Sequence, residues 1–96
     1  MTSLGEKIRK LRESQNVLLR QVAAYLEIDT ALISKIERGE RRLTREQVLK
    51  IAKYYKASEE ELLSLWFCDK VLDTVDKDPL ALRGLNRATN ILKSML

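Results

Sequence analysis

The sequence contains no histidine, one cysteine, one proline and three glycines among its 96 residues. Histidine is the commonest general base and metal ligand, so its absence removes the usual basis for catalysis and metal binding. The single cysteine, Cys68, allows neither an intramolecular disulfide nor a cysteine zinc site. No glycine-rich phosphate loop is present. We therefore expect no enzyme activity, no cofactor and no bound metal.

Long apolar runs are also missing from the sequence. No stretch approaches the roughly 20 apolar residues that a membrane-spanning helix needs. The first seven residues, MTSLGEK, contain no apolar core of a secretory signal. The sequence therefore predicts a protein of the cytoplasm with no membrane partner.

The residues that are abundant favour helix, because alanine, leucine, glutamate, lysine, arginine and glutamine dominate. Apolar residues recur at helical spacing and predict an all-α fold of six helices, at about 3–15, 18–26, 30–38, 45–55, 59–75 and 79–95. Helix ends are marked by capping signals. These signals are the capping boxes Ser3–Glu6, Thr44–Gln47 and Ser58–Glu61, the N-caps Asp29 and Asp78 (the latter followed by Pro79), and the C-cap Gly39.

Charge divides the chain into two parts. Residues 1–56 hold 13 basic and 7 acidic side chains, whereas residues 57–96 hold 5 basic and 7 acidic ones. A basic part is suited to a polyanion, and a nearly balanced part is suited to protein contacts. We expect a helix-turn-helix domain at 1–57 and a C-terminal pair of helices, forming a dimerisation element, at 58–96.

The second and third predicted helices are short and meet at a tight joint, Glu27–Asp29. This is the layout of a helix-turn-helix, whose second helix enters the major groove of DNA. Side chains near the start of that helix reach base edges first. They can bond guanine or pack on a thymine methyl group. The predicted base contacts are Thr30, Ala31, Ser34 and Lys35.

Phosphate contacts are expected on both sides of that helix. The N-terminus of the second helix offers unpaired backbone N–H groups, which favour an anion. Three arginines follow the third helix within five residues. The predicted phosphate contacts are Arg20, Gln21, Arg38, Arg41 and Arg42, and a solvated charged loop is the alternative for Arg41 and Arg42.

Residues 4–63 resemble the phage-repressor-like helix-turn-helix family, the Cro/repressor or XRE class. The resemblance lies in residues 19–23 (LRQVA), 33–41 (ISKIERGER) and 43–53 (LTREQVLKIAK). It implies a compact five-helix DNA-binding domain, usually dimeric, that regulates promoters and reads bases chiefly at Thr30, Ala31 and Lys35.

The resemblance also implies a partly buried ion pair between Arg12 and Glu37. Two residues depart from the family pattern. Leu19 stands where many members have a phosphate-contacting glutamine, and Glu27 stands where the turn often has glycine. These departures leave open a helical protein-interaction module that does not read DNA sequence.

The predicted fifth helix carries two apolar stripes, which are Leu62, Leu65, Trp66 and Leu72, and Leu63, Phe67, Val71 and Val75. One stripe covers the domain core, and the other needs helix six or a second subunit. We expect a homodimer interface at Leu62, Leu65, Trp66, Leu72 and Val75; an intramolecular hairpin on a monomer is the alternative. Cys68 is expected to be a small buried residue, and Asp69, Asp73 and Asp76 to form a solvated face.

The sequence as a whole predicts a sequence-specific DNA-binding transcriptional regulator, located at the nucleoid of a prokaryote. A homodimer is expected on a pseudo-palindromic operator, with recognition helices roughly 34 Å apart. The compact chain fits a restriction–modification or mobile-element controller better than a metabolite sensor, so no small-molecule effector is expected.

Overall fold

A computed structural model describes residues 3–96, and all regular secondary structure in this range is helical. The helices are α1 (Ser3–Ser14), α2 (Leu19–Leu26), α3 (Thr30–Glu37), α4 (Arg45–Tyr55), α5 (Glu59–Val75) and α6 (Ala81–Met95). Every end lies within two residues of its predicted position. The all-α fold class is confirmed.

Predicted caps form at the starts of α4 and α5. Thr44 Oγ1 accepts a hydrogen bond from the Gln47 amide at 3.2 Å, and Gln47 Oε1 accepts one from the Thr44 amide at 3.0 Å. Ser58 Oγ likewise accepts from the Glu61 amide at 3.2 Å. The capping box predicted at Ser3 depends on the Ser3 side chain, which is outside the part of the chain whose side chains are described. Local hydrogen bonding therefore sets the starts of α4 and α5.

Two predicted caps differ from the structure. Asp29 occupies the N-cap position of α3, but its side chain makes no capping hydrogen bond. The sixth helix begins at Ala81 rather than Pro79, because Asp78 Oδ1 accepts the Leu80 amide at 2.9 Å and closes a turn of its own. Aspartate often bonds its own backbone two residues on, and that turn replaces the expected first helical turn.

Helices α1 to α5 enclose one apolar core, with α5 packed on α1 and α4 and with α2 packed on α3. The core comprises Leu4, Ile8, Val22, Ala23, Leu26, Ile33, Ile36, Leu43, Val48, Ile51, Ala52, Tyr55, Leu62 and Trp66. The Trp66 indole donates to the Leu43 carbonyl at 2.8 Å. Because Leu62 and Trp66 are in this core, the core extends beyond residue 57. These two side chains are not available to a second chain, so the predicted dimer contact is corrected at both positions.

Two of the three aspartates expected on a solvated face of α5 form hydrogen bonds to other elements. Asp69 is only 3% exposed and accepts the Leu4 amide at 3.1 Å, at the N-terminus of α1. A carboxylate at that end of a helix is favoured by the helix dipole. Asp73 bonds Arg42 in the loop after α3. Asp73 and Asp76 are nevertheless exposed, as expected, so the expectation is wrong only for Asp69.

Beyond Trp66 the chain is mostly exposed, and no residue of α6 is buried. Cys68 is exposed, so the prediction of a buried cysteine is wrong; it lies on the side of α5 turned away from the core. Leu72 is exposed, while Leu65 and Val75 are half-buried. Within residues 3–96, no helix combines the length and the apolar character needed to cross a bilayer.

Candidate nucleic-acid interface

The turn between α2 and α3 has the geometry of a helix-turn-helix without glycine. Glu27 ends α2 in the left-handed conformation, with φ 58° and ψ 43°. Its amide donates to the Ala24 carbonyl at 3.2 Å, and the Ile28 amide donates to the Ala23 carbonyl at 3.0 Å. A side chain in this conformation costs roughly 1 kcal/mol. The packing of α2 on α3 therefore holds the turn in spite of the glutamate.

Helix α3 presents one face to the core and the other to solvent. Ile33, Ile36 and Glu37 are buried, because they follow one another at helical spacing on the inner face. The predicted base contacts Thr30, Ala31 and Lys35 are exposed, and Ser34 is half-buried. Leu32 is half-buried against the core. The structure thus brings all four predicted base-contact residues to the start and outer face of one accessible helix.

The orientation of α3 is fixed by the ion pair between Arg12 and Glu37. Arg12 Nε and Nη2 donate to the two carboxylate oxygens of Glu37 at 2.7 and 3.1 Å. Arg12 Nη1 donates to the Val17 carbonyl at 3.1 Å. The hydrogen bond to Glu37 raises the pKa of Arg12 above its ordinary value, against the opposing effect of burial. The guanidinium of Arg12 therefore links α1 to α3 and to the loop that precedes α2.

Arg38 is held at the end of α3 by two exposed contacts. Its Nε donates to Glu40 Oε2 and its Nη1 donates to Ser34 Oγ, both at 2.6 Å. The hydrogen bond between Arg38 and Glu40 raises the pKa of the arginine and lowers that of the glutamate. Exposed pairs of this kind contribute little to stability. Arg38 is therefore exchangeable between Glu40 and an approaching anion.

Arg42 is bound more extensively than a free phosphate ligand would be. Its Nε and Nη2 donate to both oxygens of Asp73 at 2.7 and 2.6 Å, and its Nη1 donates to the Gly39 carbonyl at 3.1 Å. The pKa of Asp73 is lowered, chiefly by this hydrogen bond. The expectation of Arg42 as a phosphate contact is therefore revised, because its guanidinium ties the loop after α3 to α5.

Gln21 also has a structural task. Its Oε1 accepts the Leu18 amide at 2.7 Å at the start of α2, which leaves the side-chain NH₂ group to donate elsewhere. Arg20 and Arg41 are exposed. Of the five predicted phosphate contacts, these two arginines are the ones whose side chains form no hydrogen bond or ion pair within residues 3–96.

Sequence reasoning missed Arg9 as a member of this surface. Arg9 lines a shallow depression between α1 and α3 together with Leu19, Ser34 and Arg38. Its Nε lies 3.5 Å from Glu13 Oε2, and both side chains are more than half exposed. The available signal was its position three residues before Arg12 on the same helix. Arg9 thus adds a cation beside the half-buried Ser34.

Within the described range, no group of histidine, cysteine and carboxylate side chains is arranged to hold a metal ion. The chemistry that this surface does offer is hydrogen-bond donation and positive charge. Its cations are Arg9, Arg20, Lys35, Arg38 and Arg41.

Known proteins that are similar to this chain include two from Bacillus subtilis. The uncharacterized HTH-type transcriptional regulator RghRB of Bacillus subtilis strain 168 is 34% identical over 65 residues, covering 67% of this chain and 47% of that protein. The HTH-type transcriptional repressor RghR of the same organism is 38% identical over 50 residues, covering 52% of this chain and 37% of that protein. This chain therefore spans less than half the length of either relative.

The family whose profile matches is described as a helix-turn-helix domain, and the match covers residues 3–65. This range includes α1 to α4 and the first part of α5. Since the match covers most of the chain and coincides with the helix-turn-helix geometry of α2 and α3, the protein belongs to the helix-turn-helix domain family.

Proposed function

We propose that this protein is a DNA-binding transcriptional regulator that reads base sequence with α3. The observation that supports it best is the exposed start and outer face of α3, where Thr30, Ala31 and Lys35 are accessible. Lysine donates to guanine O6 or N7, threonine donates or accepts, and alanine packs against a thymine methyl group. The two relatives named as a transcriptional regulator and a transcriptional repressor support the same function.

Cations surround this reading face and supply affinity for the DNA backbone. Arg20 lies in the first turn of α2, where backbone N–H groups have no intrahelical partner. Arg41 follows α3, and Arg38 joins it once Glu40 is displaced. Binding through several such contacts weakens steeply as salt increases, because each phosphate contact releases counterions.

We further propose that the protein acts as a homodimer on a pseudo-palindromic operator. A two-fold dimer would present two copies of α3 to successive major grooves roughly 34 Å apart. A controller of a restriction–modification system or a mobile element is the proposed setting, at the nucleoid in the cytoplasm.

Selection of bound sequences from a random duplex pool tests the reading function. The expected result is one enriched motif, with two half-sites if the dimer binds. Lys35→Ala is expected to relax base preference at one position of each half-site. Arg41→Ala is expected to weaken all sequences alike and to reduce the salt dependence. Lys93→Ala, which removes an equal charge on α6, is the matched control and should do neither.

The departures at Leu19 and Glu27 define the opposite outcome. A helical interaction module would bind every duplex weakly, with no enriched motif and no distinction between Lys35→Ala and Arg41→Ala. That result would overturn the proposed function.

A further inference from the structure

The end of α3 carries a short chain of side-chain hydrogen bonds that the proposed reading function leaves unexplained. Thr30, Ser34 and Arg38 are spaced four residues apart, so they lie along one edge of the helix and its C-cap. Arg38 Nη1 donates to Ser34 Oγ at 2.6 Å. Arg38 Nε donates to Glu40 Oε2, also at 2.6 Å. A guanidinium anchored by a carboxylate thus holds a serine hydroxyl on the proposed reading helix.

The contact with Arg38 restricts what the Ser34 hydroxyl can bind. A serine hydroxyl has one O–H donor and two acceptor positions, and it ordinarily uses either kind. In this structure a charged N–H group occupies one acceptor position. A second donor approaching the same oxygen would meet the positive charge of Arg38, which disfavours it. Within residues 3–96 the hydroxyl donates no hydrogen bond of its own, so its O–H group remains to donate to a ligand.

The surroundings of Ser34 favour an acceptor as its ligand. Ser34 is half-buried, and its open side faces the shallow depression that Arg9, Leu19 and Arg38 also line. Arg9 places a second cation at this depression, and Leu19 offers no hydrogen-bonding group from its side chain. An electronegative atom on a base edge is therefore attracted to this position, whereas an amino group meets two positive charges and no free acceptor.

We propose that Arg38 is a positioning residue that makes Ser34 specific for keto bases. This inference rests on the proposed reading function and assigns one of its specificity determinants. In the major groove, guanine presents N7 and O6 and thymine presents O4, and neither base presents an amino group there. Adenine and cytosine each present an amino donor. A hydroxyl limited to donation therefore selects guanine or thymine, whereas an unrestricted serine binds either class.

This positioning is compatible with a phosphate contact by the same arginine. The guanidinium binds Ser34 through Nη1 and Glu40 through Nε, which are separate donors of one rigid fork. A DNA phosphate that displaces Glu40 takes over Nε and leaves Nη1 on the serine oxygen. Either anion thus anchors Arg38, and the Ser34 hydroxyl keeps the same role in the free protein and in the complex.

Selection from a random duplex pool compares two variants of the full chain. Arg38→Met keeps the aliphatic stem and removes the donors, and Arg41→Met removes the same charge from an exposed arginine that does not contact Ser34. Both should weaken all sequences and reduce the salt dependence, because each loses a phosphate contact. Only Arg38→Met is expected to admit adenine or cytosine at one position of the half-site, with discrimination against these bases falling by about fivefold or more.

A double-mutant comparison shows whether Arg38 acts through the serine. Ser34→Ala should relax the same half-site position and leave the salt dependence unchanged, because it removes the reading group and no charge. On the Ser34→Ala background, Arg38→Met should still lower affinity but should cause no further change in base preference. Thermal unfolding followed by circular dichroism verifies that each variant is folded, which is expected because both side chains lie outside the apolar core.

Three results would overturn the inference and leave the reading function intact. They are selection of adenine or cytosine at the position that depends on Ser34, an unchanged base preference for Arg38→Met, and a change in preference that persists on the Ser34→Ala background. The proposed function fails differently: the unmodified chain would then enrich no motif at all, and the role of Arg38 would be overturned with it.

Discussion

Ile51 and Ile91 have the same side chain in opposite surroundings. Ile51 in α4 is fully buried, whereas Ile91 in α6 is 60% exposed. The same contrast extends to the polar groups. The core around Ile51 is closed by the Arg12–Glu37 pair and the Trp66 hydrogen bond, whereas α6 contains no buried residue. The first five helices are therefore stabilised within the chain, whereas the apolar side chains of α6 are left exposed by it.

The largest expected difference in the free energy of unfolding is between alanine substitutions at these two isoleucines. Ile51→Ala should lower the free energy of unfolding by about 3 kcal/mol, because it removes buried methyl groups and leaves a cavity. Ile91→Ala should change the unfolding of the monomeric domain by less than about 0.5 kcal/mol. Urea denaturation at low protein concentration, followed by circular dichroism, measures both. Equal losses at the two sites would show that α6 belongs to the same folding unit.

The next effect concerns the two glutamates on either side of Gly39. Glu37→Ala should destabilise the domain by about 3 kcal/mol, because it leaves the guanidinium of Arg12 partly buried without its carboxylate. Glu40→Ala removes the exposed partner of Arg38 and should cost less than about 1 kcal/mol. Thermal unfolding followed by circular dichroism distinguishes them. A small loss for Glu37→Ala would mean that the pair does not hold α3.

The contact between the two regions supplies a smaller effect, measured on DNA affinity. Asp73→Asn releases Arg42 and removes a negative charge beside the proposed interface. Affinity for the selected operator should rise by about two- to fivefold, with a steeper salt dependence. Asp76→Asn makes the same charge change on an exposed residue that does not contact Arg42, and it should have a smaller effect. A loss of affinity for Asp73→Asn would show that Asp73 positions the loop for binding.

The smallest effect concerns the hydroxyl of Tyr55, which is buried and lacks a hydrogen-bond partner among the described residues. Burial is the main cause that raises the pKa of Tyr55 above its ordinary value. The folded state thus favours the neutral form of Tyr55 more than the unfolded state does. The folded state is therefore fully stable below a pH of about 10, the ordinary pKa of tyrosine, and loses stability as the pH rises above that value.

Tyr55→Phe removes both the unpartnered hydroxyl and this titration. At neutral pH we expect the variant to be equally stable or more stable by up to about 1 kcal/mol. Above a pH of about 10, its stability should fall less than that of the unmodified chain. Denaturation midpoints across that range test this, with Tyr25→Phe, at an exposed tyrosine, as the control. Parallel pH curves for Tyr55→Phe and the unmodified chain would contradict it.

Most of the helix pattern was predictable because its signals are local. The capping box at Thr44, the N-cap hydrogen bond of Ser58 and the glycine at Gly39, whose φ is 82°, depend only on residues within one turn. The start of α6 was not predicted, because Asp78 has two local choices: a helix cap or a turn that bonds Leu80. Sequence spacing does not distinguish them.

The partners of charged side chains were harder to predict, because they depend on which elements meet. The Arg12–Glu37 pair followed from family resemblance. Asp69 and Asp73 gave no such signal, since an aspartate on an amphipathic helix looks the same whether it faces water or another helix end. For the same reason, the sequence did not reveal that Arg42 is bound to α5, or that Leu62 and Trp66 lie in the core.

The consecutive contacts along α5 determine the shortest fragment of the chain that should fold stably on its own. The family match ends at residue 65, one residue before Trp66. A protein cut there would lose three contacts of α5. They are the hydrogen bond from the Trp66 indole to the Leu43 carbonyl, the one from the Leu4 amide to Asp69, and the ion pair between Arg42 and Asp73. A stable excised domain should therefore include all residues up to Asp73. A fusion of this domain to a foreign oligomerisation module should place the junction after that residue.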